Sequence, residues 1–267
     1  MGPNGDEAKR RRIGVSTWSF HTLFERNKED PAATLMDVRD FPEMIADRYH
    51  VHNVEVVLPH FLGAEPSMVR DFKSRLEKAH SRLVHMPLDF GELWNKPAIS
   101  STDQKERDAA VALYKKGIDA AAGLGCPLVR CDPGKVNLDD PSLTIESYRQ
   151  LKAYAGAKGI DVVVENHGDI SANPEVLVKI LNDAGVGALP DFENFPDEAT
   201  RNRGLALLFP IAGNVAHAKV RQGRDFARCL QIAREAGFQG IFSIEAEYGG
   251  DRYEKVQNSV DALMANL

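Results

Sequence analysis

Two hydrophobic periodicities alternate along this chain almost from end to end. Short runs rich in β-branched residues read as strands buried on both faces. Each is followed by a segment with apolar residues at helical spacing. The first run is IGVSTW at 13–18, and a helical stretch at 42–49 leads to NVEVVL at 53–58. Residues 66–79 read as a helix, with Pro66 near its start and Met68, Phe72, Leu76 and Ala79 on one face. RLVHM at 82–86, a long helix from about 102 to 123, and LVRC at 128–131 come next. A helix then runs from Pro141 and Ser142 to 157, with Ser142 expected as its N-cap.

The second half repeats the pattern more tightly. IDVVVEN at 160–166 is a strand, 174–184 a helix closed by Gly185, 186–191 a strand and 198–211 a helix. NVAHAK at 214–219, a helix at 224–236 ending at Gly237, IFSIE at 241–245 and a helix at 253–267 complete the chain. Parallel neighbours need a crossover between them, so eight strand–helix units predict an α/β fold, a single (β/α)8 TIM barrel. An open doubly wound sheet would carry a glycine-rich phosphate turn after an early strand. GLG at 123–125 precedes its strand and lacks the rest of that fingerprint. No linker composition divides the chain. The expected organisation is a barrel domain over 13–267 behind a disordered polar tail at 1–12.

Composition narrows the partners. Net charge is −6 with both signs interspersed, which offers no basic face to a nucleic acid. No run of about 18 apolar residues is present to span a membrane. Cys126, Cys131 and Cys229 are odd in number and form no CxxC pair, so buried free thiols and a reducing cytoplasm are expected. The start of the chain has no apolar h-region and is not an intact secretory signal, which leaves a removed export signal open. No segment marks an interface, and a homo-oligomer stays open too.

The candidate chemistry lies at the ends of strands five to eight, because barrel active sites form at the C-terminal ends of strands. Those strands end on Glu165, Asp191, His217 and Glu245, spaced 26, 26 and 28 residues apart, about one strand–helix unit per step. Three carboxylates brought within a few Å would repel by about 1 to 4 kcal/mol per pair. A divalent cation removes that conflict. Oxygen donors plus one imidazole suit Mn2+ or Mg2+ first, with Co2+ or Zn2+ as alternatives. The plainer reading is strand-end polar residues paired with Arg130, Lys219 or Arg221.

VENHG at 164–168, PDFENF at 190–195, VAHAK at 215–219 and FSIE at 242–245 resemble the sugar phosphate isomerase/epimerase family, the xylose-isomerase-like TIM barrels. The resemblance runs from about Ile13 onward and is sharpest after Glu165. It implies that Glu165, Asp191, His217 and Glu245 hold one metal and that Glu165 and Glu245 also act as the acid/base pair. The implied activity, in carbohydrate metabolism, is isomerisation or epimerisation of a sugar. Proton abstraction next to a metal-bound carbonyl would give an enediolate.

Around that core, His167, Lys219, Arg130, His85, Trp18, Glu247 and Asn194 are candidates for substrate contact. His167, Lys219 and Glu247 each follow a ligand by two residues on the same strand face. Trp18 could wall a sugar's C–H face. His21, His60 and Trp94 sit in loops after strands, and Arg224 with the turn at Gly249 and Gly250 is a candidate phosphate corner.

Two positions depart from the family pattern. Asn194 stands where many sugar epimerases have His, and Gly223 where they often have Arg. Substrate and reaction are therefore open. A lyase or dehydratase on a cyclic polyol or 3-keto-glycoside would use the same site. An abasic-site endonuclease would need further histidines that this chain lacks. A non-catalytic sugar-binding barrel would have no reason to keep the opposed carboxylates.

Overall fold

A computed structural model describes residues 3–24, 36–61, 66–247 and 249–267. Among the described residues, eight parallel strands form one sheet. They are β1 (Ile13–Ser16), β2 (Asn53–Glu55), β3 (Arg82–Pro87), β4 (Leu128–Arg130), β5 (Asp161–Glu165), β6 (Gly187–Leu189), β7 (Val215–Ala218) and β8 (Ile241–Ile244). Their order is β6-β5-β4-β3-β2-β1-β8-β7. The remaining gap between β6 and β7 is bridged in parallel at Ala188–Ala212 and Asp191–His217, where His217 N donates to Pro190 O at 2.9 Å. The sheet thus closes into the TIM barrel that the alternation predicts.

Nine α-helices are described: α1 (Pro3–Arg10), α2 (Phe41–Tyr49), α3 (Pro66–Lys78), α4 (Gln104–Leu124), α5 (Ser142–Gly156), α6 (Pro174–Ala184), α7 (Glu198–Leu208), α8 (Phe226–Glu235) and α9 (Arg252–Asn266). All but α1 serve as crossovers or as the closing helix. Aspartates start several of them by accepting orphan backbone N–H groups, as Asp103 does from Lys105 N and Glu106 N of α4. Ser142 corrects an expectation: it is the first helical residue rather than the cap, and Asp140 Oδ1 takes its N–H. Gly185 closes α6 at φ 70°, where a side chain would be strained.

The beginning of the chain also corrects an expectation. The segment expected as a disordered polar tail is largely the helix α1. Lys9 Nζ donates to Met264 O and Arg10 to Tyr49 O, tying it to α9 and α2. Its basic residues find helix carbonyls as acceptors. Met1 and Gly2 lie outside the described residues.

The barrel interior is layered, and this positions the site. Val84, Leu128, Val163, Leu189, Val215 and Ile241 pack together as an apolar floor. Side chains two residues further along a strand share its face one layer up. Val163 is thus followed by Glu165, Leu189 by Asp191, Val215 by His217 and Leu128 by Arg130. A larger apolar layer between strands and helices holds the strands in place, with Phe20, Phe41, Tyr114, Tyr148, Phe192 and Phe242 almost wholly buried. The three cysteines are free and buried, as expected.

Candidate metal centre and sugar pocket

Strands β5 to β8 deliver the four expected side chains to one point. The donor atoms of Glu165, Asp191, His217 and Glu245 all lie within 4.8 Å of one another, and all four residues are buried. His217 Nδ1 faces the three carboxylates, at 3.2 Å from Glu165 Oε1, 3.5 Å from Glu245 Oε2 and 3.7 Å from Asp191 Oδ2. Asp191 is set by a two-way clamp. Its N–H donates to Asn166 Oδ1 at 2.8 Å, and Asn166 Nδ2 donates to its carbonyl at 3.1 Å. Its Oδ1 accepts from the N–H groups of Glu193 and Asn194 at the loop that follows β6.

Two permanent cations sit among these acids. Lys219 Nζ is 2.6 Å from Asp191 Oδ2 and 3.0 Å from Glu245 Oε2. Arg130 bridges Glu165 and Asp89. Burial by itself pushes the Glu165 carboxyl up, but Arg130 and His217 hold it well below the ordinary range. Burial wins at Asp191, whose carboxyl is raised despite Lys219. At His217 burial opposes the charged ring, yet Glu245, Glu55 and Glu165 raise the imidazolium well above its ordinary value. Lys219 is likewise raised, its burial outweighed by Asp191 and Glu245.

These residues fit a hard divalent cation. Donors opposed across such an ion, bonded at about 2.0–2.6 Å, span about 4–5 Å at most. The charge balance agrees. The buried carboxylates Glu55, Glu165, Asp191 and Glu245 outnumber the fixed counter-charges Arg130 and Lys219, and Arg130 is shared with Asp89.

A cavity of about 360 Å3 opens over the quartet. Trp18, Arg130, His167 and Lys219 line it together with Glu165 and Glu245. It runs on to Leu88, Phe90, Leu93 and Trp94 on one side and Lys96 and Lys135 on another. Gly134 at φ 72° joins these walls, since a Cβ there would lie 2.5 Å from Pro97 O. His167 Nδ1 pairs with Asp132 Oδ2 at 3.0 Å, and that bond raises its pKa. Asn194 Nδ2 donates to Glu165 Oε1 at 2.9 Å and lines a second recess beside Trp18, Lys219 and Glu247.

Several candidates land elsewhere. His85 is fully buried behind His217 and does not line the cavity, so the expectation of substrate contact is corrected. It sits below the rim because it pairs with Glu55 instead. Glu247 is outside the main cavity and is held by Arg221. Arg224 lies 3.4 Å from Glu193, so its charge is already directed inward rather than to a phosphate corner. His21 and His60 bond each other at 3.0 Å, away from both recesses.

Sequence reasoning missed Glu55, Asp89 and Asp132. Glu55 was legible in one respect: it ends β2 as Glu165 ends β5. The run NVEVVL, read as a strand to Leu58, concealed that end.

The family and structural comparisons agree with this fold. The model of the xylose isomerase-like TIM barrel family matches residues 40–265. No curated protein matches the sequence. Among solved structures, a D-psicose 3-epimerase with D-tagatose from Clostridium cellulolyticum H10 superposes with a TM-score of 0.69 at 14% identity, covering 96% of each chain. A 3-keto-D-glucoside 4-epimerase from E. coli in apo form has a TM-score of 0.71 at 12% identity, covering 95% of this chain and 99% of that one. A xylose isomerase-like TIM barrel protein from Mycobacterium smegmatis in complex with magnesium gives 0.66 at 17% identity, covering 97% and 98%. With the matched segment spanning most of the barrel, the chain belongs to the xylose isomerase-like TIM barrel family.

Proposed function

We propose that the protein is a divalent-metal-dependent sugar isomerase or epimerase. The observation that carries this reading is the buried convergence of Glu165, Asp191, His217 and Glu245 beneath an open cavity. The donor set suits Mn2+ or Mg2+ first, with Co2+ or Zn2+ as alternatives. A bound ion supplies Lewis acidity, which polarises a sugar carbonyl and makes the neighbouring C–H more acidic.

The chain's own residues account for the rest. Glu165 and Glu245 come from strands on different sides of the quartet, and both reach the cavity. Arg130 keeps Glu165 ionised and ready to take a proton. Glu245 is placed to return one from the other side, which inverts the carbon. Return to the adjacent carbon moves the carbonyl instead. Lys219, Arg130 and His167 present N–H donors to sugar oxygens, and Trp18 offers an apolar face to C–H groups. The epimerase names of two structural relatives support a sugar as substrate, and the magnesium complex of a third supports the cation.

One feature favours a second reading. The cavity continues past the quartet to Trp94 and Lys135, leaving room for a substituent on the sugar. A lyase expelling such a group from a 3-keto-glycoside or cyclic polyol would begin with the same proton abstraction. Two measurements test the proposal. Mn2+ titration should raise the melting temperature, and incubation with a ketohexose panel should give a product of unchanged mass. A product lighter by the leaving group selects the lyase. No metal-dependent shift would leave Lys219 as the site's counter-charge and point to a non-catalytic barrel.

A further inference from the structure

Glu55 ends β2, outside the four strands that carry the quartet, yet it stands directly behind His217. The two ring nitrogens of His217 face opposite ways. Nδ1 looks toward Glu165, Asp191 and Glu245, while Nε2 lies 3.2 Å from Glu55 Oε2. The same oxygen is 2.9 Å from His85 Nδ1. Glu55, His85 and His217 all have 0% exposure, and neither Glu55 nor His85 lines the cavity. Substrate therefore reaches neither of them.

A local irregularity brings the group together. Val54 pairs with Leu83, but Glu55 pairs with His85, so the register slips by one residue between them. Such a bulge re-aims side chains. Burying a carboxylate and two imidazoles in an otherwise apolar interior is costly unless they are paired. The layer beneath is filled by valine, leucine and isoleucine.

The chemistry of imidazole says what this pairing accomplishes. A neutral ring carries one proton, and only its bare nitrogen can bind a cation. A carboxylate accepts and never donates. On the Nδ1 side three carboxylates compete for that proton, and a proton there would block the metal. We propose that Glu55 is a positioning residue that holds the Nε2–H tautomer of His217 and so makes Nδ1 the metal donor, with His85 clamping Glu55 from its other side. This rests on the metal-centre reading above. The three residues also form a compact donor group of a kind that can hold a cation. Their 2.9 and 3.2 Å spacings are hydrogen-bond lengths, and one Glu55 oxygen serves both rings. Protons shared with Glu55 Oε2 satisfy both of those contacts, while Glu55 Oε1 and His85 Nε2 are left without a hydrogen-bond partner.

The test uses the metal alone, on the full chain. Calorimetric titration of metal-free wild type with Mn2+ should give one site. Glu55→Gln keeps the shape of the side chain and should weaken that site by about 10–100-fold, the usual range for a group that orients a metal ligand. Glu55→Asp should recover part of the loss. The 15N resonances of His217 in Mg2+-loaded wild type should show the proton on Nε2. A merely structural Glu55 would lower the melting temperature of the metal-free variant and leave the Mn2+ affinity of its folded fraction unchanged. Equal affinity in wild type and Glu55→Gln, two Mn2+ per chain, or a proton on Nδ1 would overturn the inference while the metal centre stands. Absence of Mn2+ binding to wild type would overturn both. Should Glu55→Gln fail to fold, the wild-type 15N spectrum alone decides.

Discussion

From β5 to β8 each strand carries, within two residues of its end, a side chain that meets the others at the quartet. From β1 to β4 the strands contribute Glu55 and Arg130, which touch the quartet from behind and beside it, and His85, which holds Glu55. The later half thus supplies donors, and the earlier half supplies the charges and hydrogen bonds that orient them. The difference shows in spacing. Glu165, Asp191 and His217 recur at one strand–helix interval because each is the first inward residue above the apolar floor, while Glu245 follows two residues past the inward Ser243 of β8. The supporting residues obey no interval, because each answers to a partner on another strand.

The largest expected effect breaks the donor half. Glu245→Gln should lower kcat by about 10²–10⁴-fold, the usual worth of a general acid or base. Steady-state kinetics with saturating Mn2+ checks this, and a loss confined to KM would assign Glu245 to binding alone. Lys219→Met comes next and bears on counter-charge. It leaves Asp191 without its nearest cation in a buried site, which should cost the metal-free protein about 3–5 kcal/mol. Excess Mn2+ should restore part of that stability, as denaturant melts with and without metal would show. A metal-free variant as stable as wild type would show that Lys219 is not needed as a counter-charge.

A third prediction uses pH to sharpen the comparison. The ordinary imidazole value is 6.5, and His217 is raised well above it. Its proton-linked contribution to stability is fully present below 6.5 and is lost as pH rises through the raised value. The ordinary Glu value is 4.5, and Glu165 and Glu55 are held well below it. Their contribution is present above 4.5 and is lost as pH falls through their depressed values. A cation displaces the His217 proton, so Mn2+ should raise the melting temperature more at about pH 8 than at about pH 6. Calorimetry in buffers of different ionisation enthalpy should register the released proton. A stabilisation independent of pH would remove His217 from the donor set.

The smallest effect is expected at the rim. Arg221 and Glu247 form a partly exposed pair, and Arg221→Gln should change stability by no more than about 1 kcal/mol. Chemical denaturation checks it. A larger loss would show that the Arg221, Arg224 and Glu193 contacts brace the loop after β7.

How much of this was legible varied by residue. Glu165, Asp191, His217 and Glu245 could be read because strand ends and repeat length are local properties of the chain. The roles of Lys219 and Arg130 were visible as charges near those ends, without their partners. Glu55 was hidden because β2 stops after three residues, while the apolar run that names it continues to Leu58. His85 was read as a rim residue because the slipped register between β2 and β3 has no sequence marker. The helical course of residues 3–10 was missed for a similar reason: Lys9 and Arg10 are held by carbonyls of α9 and α2, far away in the chain.

Periodicity along the chain determined by itself the barrel, the order of its units and the four residues that crown the last strands, because each depends on neighbours a few positions away. Only the tertiary structure decided which nitrogen of His217 faces the acids, which cation answers which carboxylate, and that His85 lies beneath the site. Those facts depend on side chains tens to hundreds of residues apart meeting inside a closed cylinder, where distance and burial set the charge of every group.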